Sequence, residues 1–502
     1  MIHKRDFRTI LQDFNFVLNP GDRAVLVGEE GNGKSTLLKW IYDPSLVASY
    51  VDAEGTRAAQ GETLGYLPQE LSSENKEKTV YEFFSERRGF FDAPPLTLAR
   101  IASQLALPED AFYGEQRMAA LSGGEKVKLQ LAALLLDEPD VLLLDEPSND
   151  LDAETLESLE ALIRGWNGSV LFISHDETLI ENTANRVVLL EQLRRKTASR
   201  YTVANMPFRP FMEQRAAGFE KQAQDAANER RAERKAMEKF RRIQQSVEYA
   251  QETVSRQDPS TGRLLKKKMA SVKAMERRYE RERGEMTDYP EYESPILIRF
   301  NRQRKMPAGK TVLDYRLAEL RAGNRTLARG VELFVRGPEK VCIVGKNGAG
   351  KTTLLRLLAS ELLSRADLRA CYMPQDYEEL LELDETPVDY LVPSGDKDEL
   401  TLARTYLGSM RYTAEEMFHP IRALSGGQRA KLLLLKMSLI EADVLILDEP
   451  TRNFSPLSGP EIRALLRNFP GAVLSVSHDR KFIAEVCDKV YELTESGLKP
   501  LA

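Results

Sequence analysis

The clearest chemistry lies in two glycine-rich octets, Gly28-Glu-Glu-Gly-Asn-Gly-Lys-Ser35 and Gly345-Lys-Asn-Gly-Ala-Gly-Lys-Thr352, each directly after a short apolar run. Both fit the pattern of a phosphate-binding loop. Its glycines let backbone N–H groups turn inward around an anion, and the helix that follows adds its positive end. Gly28, Gly31 and Gly33, and Gly345, Gly348 and Gly350, would shape the two loops. Lys34 and Lys351 would reach the β- and γ-phosphates of a purine triphosphate, Ser35 and Thr352 would hold Mg²⁺, and Thr36 and Thr353 would add nucleotide contacts.

Further residues complete each loop. Asp145 and Asp448 end apolar runs, where a carboxylate can act on Mg²⁺. The adjacent Glu146 and Glu449 then stand where an attacking water would lie, as general base or water positioner. His175 and His478, two of the four histidines, follow further apolar runs and read as γ-phosphate sensors. Gln69 follows Leu-Pro and Gln375 follows Met-Pro, positions that suit a glutamine touching both Mg²⁺ and water. Leu121-Ser-Gly-Gly-Glu125 and Leu424-Ser-Gly-Gly-Gln428 supply a second kind of anion site. In these, Ser122 and Ser425 cap helices whose glycines, Gly124 and Gly427 among them, expose N–H groups. Each half of the chain thus carries two half-sites for phosphate, which makes sense if the halves face head to tail.

The elements that must position these residues repeat. Ser425 lies 303 residues after Ser122, and the same interval separates Asp448 from Asp145 and His478 from His175. The octets are 317 apart, so the first copy is fourteen residues longer between its first two motifs. Apolar runs at 24–27, 141–144 and 170–173, and at 341–344, 444–447 and 472–476, predict buried parallel strands, with leucine-rich helices between them. The fold class expected is therefore α/β, as two homologous domains, 1–205 and 291–502, around a segment 206–290.

The whole chain has 502 residues, 42% of them hydrophobic and 29% charged, with a formal net charge of −6. That excludes a globally basic nucleic-acid coat. The three cysteines are too few and too scattered for a disulfide framework or a zinc site. No apolar stretch approaches the roughly eighteen residues of a membrane span, and the N-terminal residues have no apolar signal segment. A cytoplasmic chain with no membrane insertion is the expectation.

Residues 210–288 differ in kind. They hold nineteen Lys or Arg and fourteen Asp or Glu, a local excess of five positive charges. Residues 211–253 read as one long helix, 257–262 as a turn, and 263–283 as a returning helix that carries Lys266-Lys-Lys268. A stiff hairpin with a basic return arm suits phosphate backbones. A solvated spacer is the plainer reading.

Two loops, two Leu-Ser-Gly-Gly elements and the paired motifs around them resemble the ATP-binding cassette superfamily over roughly four-fifths of the chain. Two such cassettes without a membrane span, joined by about eighty charged helical residues, resemble its ABC-F family; Asp145-Glu-Pro-Ser-Asn-Asp-Leu-Asp152 is close to that family's first-cassette motif. The resemblance implies a tandem of phosphate-loop cassettes that hydrolyse ATP with Mg²⁺ and pair within one monomeric chain. Lys34, Gln69, Glu146 and His175 would work with Ser425 and Gly427, and Lys351, Gln375, Glu449 and His478 with Ser122 and Gly124. It further implies binding in the E site of the bacterial ribosome, with segment 210–288 reaching rRNA, P-site tRNA and the peptidyl-transferase centre. The role would be in translation or in antibiotic resistance, and the tip, 254–264, would tell the two apart. The alternative is the ATPase subunit of a transporter whose membrane protein is a separate chain.

The chain departs from the pattern in places. The adenine-stacking tyrosine would fall at Arg5 and Ala322, so Arg5, Phe7 or Arg321 would have to serve. Glu30 replaces an asparagine and brings a carboxylate towards the phosphates, which should weaken the first site. Asn453-Phe-Ser455 stands where the first copy has Asp150-Leu-Asp152, so the aspartate expected to cross between cassettes is missing there.

Overall fold

The computed structural model describes residues 1–501 apart from 60, 150, 194–197, 254–258, 285–305, 324, 393 and 411. Two compact units make up the chain: Met1–Phe208 with Glu293–Ala502, and Arg209–Tyr292.

The site-bearing elements of the first copy are, in order, β1 (Arg23–Val27), α1 (Lys34–Tyr42), β2 (Leu64–Leu67), α2 (Gly123–Leu136), β3 (Val141–Asp145), α3 (Ala153–Gly165), β4 (Ser169–Ile173), α4 (Glu177–Thr183), β5 (Arg186–Leu193) and β6 (Ala198–Ala204). The six strands form one sheet in the order β2-β3-β4-β1-β5-β6, parallel except for the last pair. Every residue of β4 is buried, as a continuous apolar run covered by helices on both faces requires.

The second unit is built on α5 (Phe208–Thr253) and α6 (Pro259–Gly284). At 46 and 26 residues the helices are about 69 and 39 Å long. Phe240, Val247 and Val272 form a narrow buried core with Met237, Ile243, Met269, Met275 and Tyr279 around it. Their three- and four-residue spacings put one apolar stripe on each helix, and the Phe240 and Tyr279 rings meet edge-on at 5.9 Å. Lys266, Lys267, Lys268, Lys273, Arg277 and Arg281 are exposed. One expectation is corrected. The turn read at 257–262 does not persist, because α6 already starts at Pro259; a proline is tolerated in a first helical turn, where its missing N–H has no partner to lose. Residues 254–258 of the expected tip lie outside the described residues.

The second copy comprises β7 (Lys340–Val344), α7 (Lys351–Leu363), β8 (Ala370–Met373), α8 (Gly426–Leu439), β9 (Val444–Asp448), α9 (Gly459–Arg467), β10 (Ala472–Val476), α10 (Arg480–Val486), β11 (Lys489–Thr494) and β12 (Gly497–Leu501). A two-stranded hairpin, Thr311–Ala322 with Arg325–Arg336, precedes it. The sheet order β8-β9-β10-β7-β11-β12 reproduces the first, and every expected strand is present. Each glycine octet leaves the carboxyl end of a central strand, β1 or β7, where parallel α/β sheets open their binding crevice. The fold is α/β, two phosphate-loop cassettes in tandem joined by a charged helical hairpin. Among the described residues no helix is long and apolar enough to cross a membrane.

Candidate functional site

The two loops share one backbone. Gly33 and Gly350 cap α1 and α7 in left-handed conformations, φ 88° and 96°. A Cβ there would stand 2.1 Å from Ile10 Cγ2 or 2.6 Å from Leu327 Cδ1, so only glycine fits. Lys34 and Lys351 are buried. Lys34 Nζ donates to Gly28 O at 2.8 Å and Glu29 O at 3.1 Å, and Lys351 Nζ to Gly345 O at 2.8 Å and Lys346 O at 3.0 Å. The Ser35 hydroxyl donates to Asp145 Oδ1 at 2.8 Å, the Thr352 hydroxyl to Asp448 Oδ1 at 3.5 Å. Each strand-end carboxylate thus meets the hydroxyl that the sequence paired with it. Burial pushes the Asp145 carboxyl up to about 6 and also raises Asp448. Asp448 Oδ2 is buried with no hydrogen-bond partner among the described residues. An orphaned carboxylate oxygen beside a hydroxyl is a donor set that fits Mg²⁺.

Glu146 and Glu449 share a feature without a sequence signal: both are left-handed, φ 53° and 50°. Such backbone costs about 1–3 kcal/mol outside glycine and persists where surroundings over-determine it. Here the Glu146 N–H donates to Ile173 O at 3.1 Å and the Glu449 N–H to Val476 O at 2.9 Å. The carboxylates in turn accept from His175 N at 3.1 Å and His478 N at 3.3 Å.

The side chains then diverge. His175 Nε2 lies 3.0 Å from Glu146 Oε1, whereas His478 Nε2 is 3.9 Å from Glu449 Oε1. Burial opposes a proton on His175, but the adjacent Glu146 carboxylate prevails and its pKa is raised. Burial, then Lys351, pushes His478 down to about 4, and burial pushes Glu449 up to about 8.

The Leu-Ser-Gly-Gly elements face the opposite cassette's loop. Ser122 and Ser425 cap α2 and α8 in reciprocal capping boxes with Glu125 and Gln428. Gly427 N donates to Glu30 Oε2 at 2.5 Å, which puts the second element against the first loop. Ser122 and Gly123 line a cavity of about 590 Å³ with Gly348, Gly350, Lys351, Thr352, Thr353, Gln375, Asp448, Glu449 and His478. That volume is within the about 300–1,000 Å³ usual for small-molecule sites. Gly124 is buried in α2, behind Gly123. Gln69 occupies the loop after β2 that matches Gln375's after β8; Thr36 lies in the first turn of α1, and Gly31, φ 77°, in the first octet. Ala322, where the resemblance would put the adenine-stacking residue, lines the cavity with Arg325 and Leu327 from the same hairpin. Arg325 and Arg452 line the cavity and Arg321 does not; Arg325 has no fixed spacing to any motif, so the sequence did not single it out.

The ABC transporter family model matches residues 11–149 and 328–452, once in each copy. The chain belongs to the ATP-binding cassette family. It is therefore an ATPase that binds ATP. The ribosome protection protein VmlR of Bacillus subtilis is 27% identical over 98% of this chain and 85% of its own length. The putative ATP-binding protein YdiF of the same organism is 27% identical over 98% and 78%. ABC transporter F family member 5 of Arabidopsis thaliana is 23% identical over 98% and 74%. These relatives, each aligned over 98% of this chain, bear out the ABC-F resemblance. Among solved structures, the RNase-L Inhibitor superposes with a TM-score of 0.57 at 18% identity over 97% of this chain and 87% of its own.

The two cassettes meet through charges that obey the repeat. Arg463 of α9 grips Glu177 of α4, Nη1 to Oε1 at 2.6 Å and Nη2 to Oε2 at 3.1 Å, both side chains under 10% exposed. Arg480 of α10 reaches Glu160 of α3 at 2.5 Å and Asp176 at 3.4 Å. Arg463 is 303 residues after Glu160 and Arg480 is 303 after Glu177. The ABC repeat therefore puts acids on cassette one and arginines at the same places on cassette two, a match that like copies would lose. The second cassette's Asn453-Phe-Ser455 segment also crosses. Its Phe454 O meets His175 Nδ1 at 2.8 Å and its Ser455 hydroxyl donates to Glu29, so a serine and a carbonyl serve where the aspartate is missing. Asp152 caps α3 by accepting from Thr155 N at 3.1 Å; Asp150 lies outside the described residues.

Proposed function

We propose that this ATPase acts on the bacterial ribosome: it binds the E site with cassettes 1–205 and 291–502, and its hairpin, 206–290, contacts rRNA and P-site tRNA near the peptidyl-transferase centre. In this reading it is a cytoplasmic monomer that modulates translation or displaces antibiotics. The observation that carries it is the hairpin between the two cassettes in the chain, whose returning helix exposes seven basic residues among those described, Arg278 with the six named above. The relative named for ribosome protection, aligned over nearly the whole chain, supports the same choice.

Lys34 and Lys351 hold the terminal phosphates, and Ser122 and Ser425 approach them from the other cassette. Ser35, Gln69 and Asp145, and Thr352, Gln375 and Asp448, would hold Mg²⁺, which when bound would neutralise the phosphate charge that develops. Glu146 and Glu449 orient water or take its proton, and His175 and His478 sense the γ-phosphate. Hydrolysis removes the contact shared by both cassettes, so the equilibrium between closed and open cassettes shifts.

The test is sedimentation of the full-length Glu146→Gln/Glu449→Gln form with ATP through a sucrose gradient. Co-migration with ribosomes, lost on changing Lys266, Lys267 and Lys268 to alanine, is the expected result. Recovery with membranes instead would favour the transporter subunit.

A further inference from the structure

We infer that Glu29 and Glu30 are a built-in surrogate for a nucleotide's terminal phosphate, so that the first site discriminates against nucleoside triphosphates, admits at most a diphosphate, and leaves the second site as the triphosphate-dependent half. The inference rests on the nucleotide reading above and narrows it: the γ-phosphate and water roles given there fall to the second site, and at the first Lys34 and Ser35 face at most a diphosphate.

Glu30 stands where the two cassettes would share an anion. Its Oε2 accepts from the N–H of Gly427, the donor that the opposite cassette aims at the first loop. The packing leaves no slack, since a Cβ on Gly427 would lie 2.9 Å from that same oxygen. Glu29 makes the second half of the contact. Its Oε2 pairs with Lys431 Nζ at 2.9 Å, and its Oε1 accepts the Ser455 and Ser458 hydroxyls, the latter at 2.6 Å. All four partners belong to cassette two. Burial alone would raise the Glu29 carboxyl, but Lys431 and the two hydroxyls hold it well below the usual carboxylate range, so it stays ionised at neutral pH.

The second loop carries no carboxylate, and its Lys346 Nζ lies 4.0 Å from Glu154 of cassette one. Lys346 and Asn347 occupy the matching positions, so that octet carries two lysines, whereas the first carries two glutamates and one lysine. A triphosphate approaching the first loop meets two like charges and must displace one carboxylate from the N–H it would itself use. A diphosphate ends short of that donor. The first site's other machinery is likewise engaged: His175 has one ring nitrogen on Phe454 O and the other on Glu146.

The experiment is equilibrium dialysis of the full-length chain with labelled β,γ-imido ATP and, separately, labelled ADP. Wild type should take up one imido analogue per chain. Glu29→Lys/Glu30→Asn, which copies the second loop, should take up two, with first-site affinity raised roughly a hundredfold. Two analogues of similar affinity on wild type, or only one on the double variant, would overturn the inference while leaving the nucleotide reading intact. No analogue on wild type would sink both. Lys351→Ala in an otherwise unchanged chain asks the same question without touching the glutamates. Analogue uptake should nearly vanish while ADP uptake at the first site persists, and one tightly held analogue per chain would refute the discrimination.

Discussion

The two nucleotide sites of this chain have the same backbone and different chemistry. The loops leave equivalent strands of two matching sheets, both are capped by a left-handed glycine, and both place a glutamate at φ near 50° behind a buried aspartate. Yet the first glutamate meets its histidine's ring at 3.0 Å and its loop is tied by two further carboxylates to the other cassette, while the second stands 3.9 Å from its histidine's ring beside a cavity of about 590 Å³. Duplication fixed where the residues sit. What each can do then depends on two or three neighbours contributed by the other copy.

The largest expected effect separates the glutamates. Glu449→Gln should lower single-turnover hydrolysis by about 10²–10⁴-fold, the range of a positioned general base. Glu146→Gln, removing a carboxylate already engaged by His175, should lower it by less than about threefold. Equal losses, measured by rapid quench on each variant, would abolish the comparison.

The cassette contact offers a second contrast. Arg463 is 4% exposed and bidentate, while Arg480 is 28% exposed. Arg463→Ala leaves Glu177 buried without its main partner and should cost about 3–5 kcal/mol in urea unfolding. Arg480→Ala, nearer to water, should cost about 1 kcal/mol. A larger loss at Arg480 would mean that the repeat's two charge pairs exchange roles.

Much of this was legible in the sequence because its signals are local. The octets, the Leu-Ser-Gly-Gly elements and the apolar runs each encode backbone geometry within a few residues, so the strands, the capping serines and the Ser35–Asp145 and Thr352–Asp448 meetings follow from spacing. Glu30 was legible as a carboxylate near phosphate, but its bond to Gly427 joins residues 397 apart in the chain, and no pattern specifies it. Ser455 looked like a missing aspartate, and only the partner, Glu29, explains why a hydroxyl suits the place. Left-handed Glu146 and Glu449 arise from strand-end hydrogen bonds that side-chain type does not reveal. Arg325 reaches the cavity from a hairpin that carries no motif.

A pH profile sharpens the contrast within the active half. Burial raises Glu449 to about 8, and only its carboxylate can accept a proton from water. With His478 pushed down to about 4, nothing else in that pair titrates near neutrality. Turnover should rise about tenfold between roughly pH 7 and pH 9, and Glu449→Gln should flatten the profile. Stability runs the other way. A raised carboxyl contributes fully below its ordinary 4.5, and that contribution is lost as pH rises through about 8. Urea midpoints of wild type should therefore fall over the interval in which activity climbs, and the variant should lack that fall.

The smallest effect is the most discriminating, because it equalises stability and leaves only chemistry to differ. Ser122 and Ser425 cap their helices in matching boxes, with Glu125 N and Gln428 N each donating at 3.3 Å. Either serine changed to alanine should cost about 1 kcal/mol, so both variants should melt alike. Ser122, however, borders the cavity of the second site, whereas Ser425 belongs to the element whose Gly427 N–H already serves Glu30. Turnover should therefore fall severalfold in Ser122→Ala and stay near wild type in Ser425→Ala. Matching melting curves with matching losses of turnover would show two equivalent sites, and the glutamates of the first loop would then be ornaments of packing without influence on nucleotide.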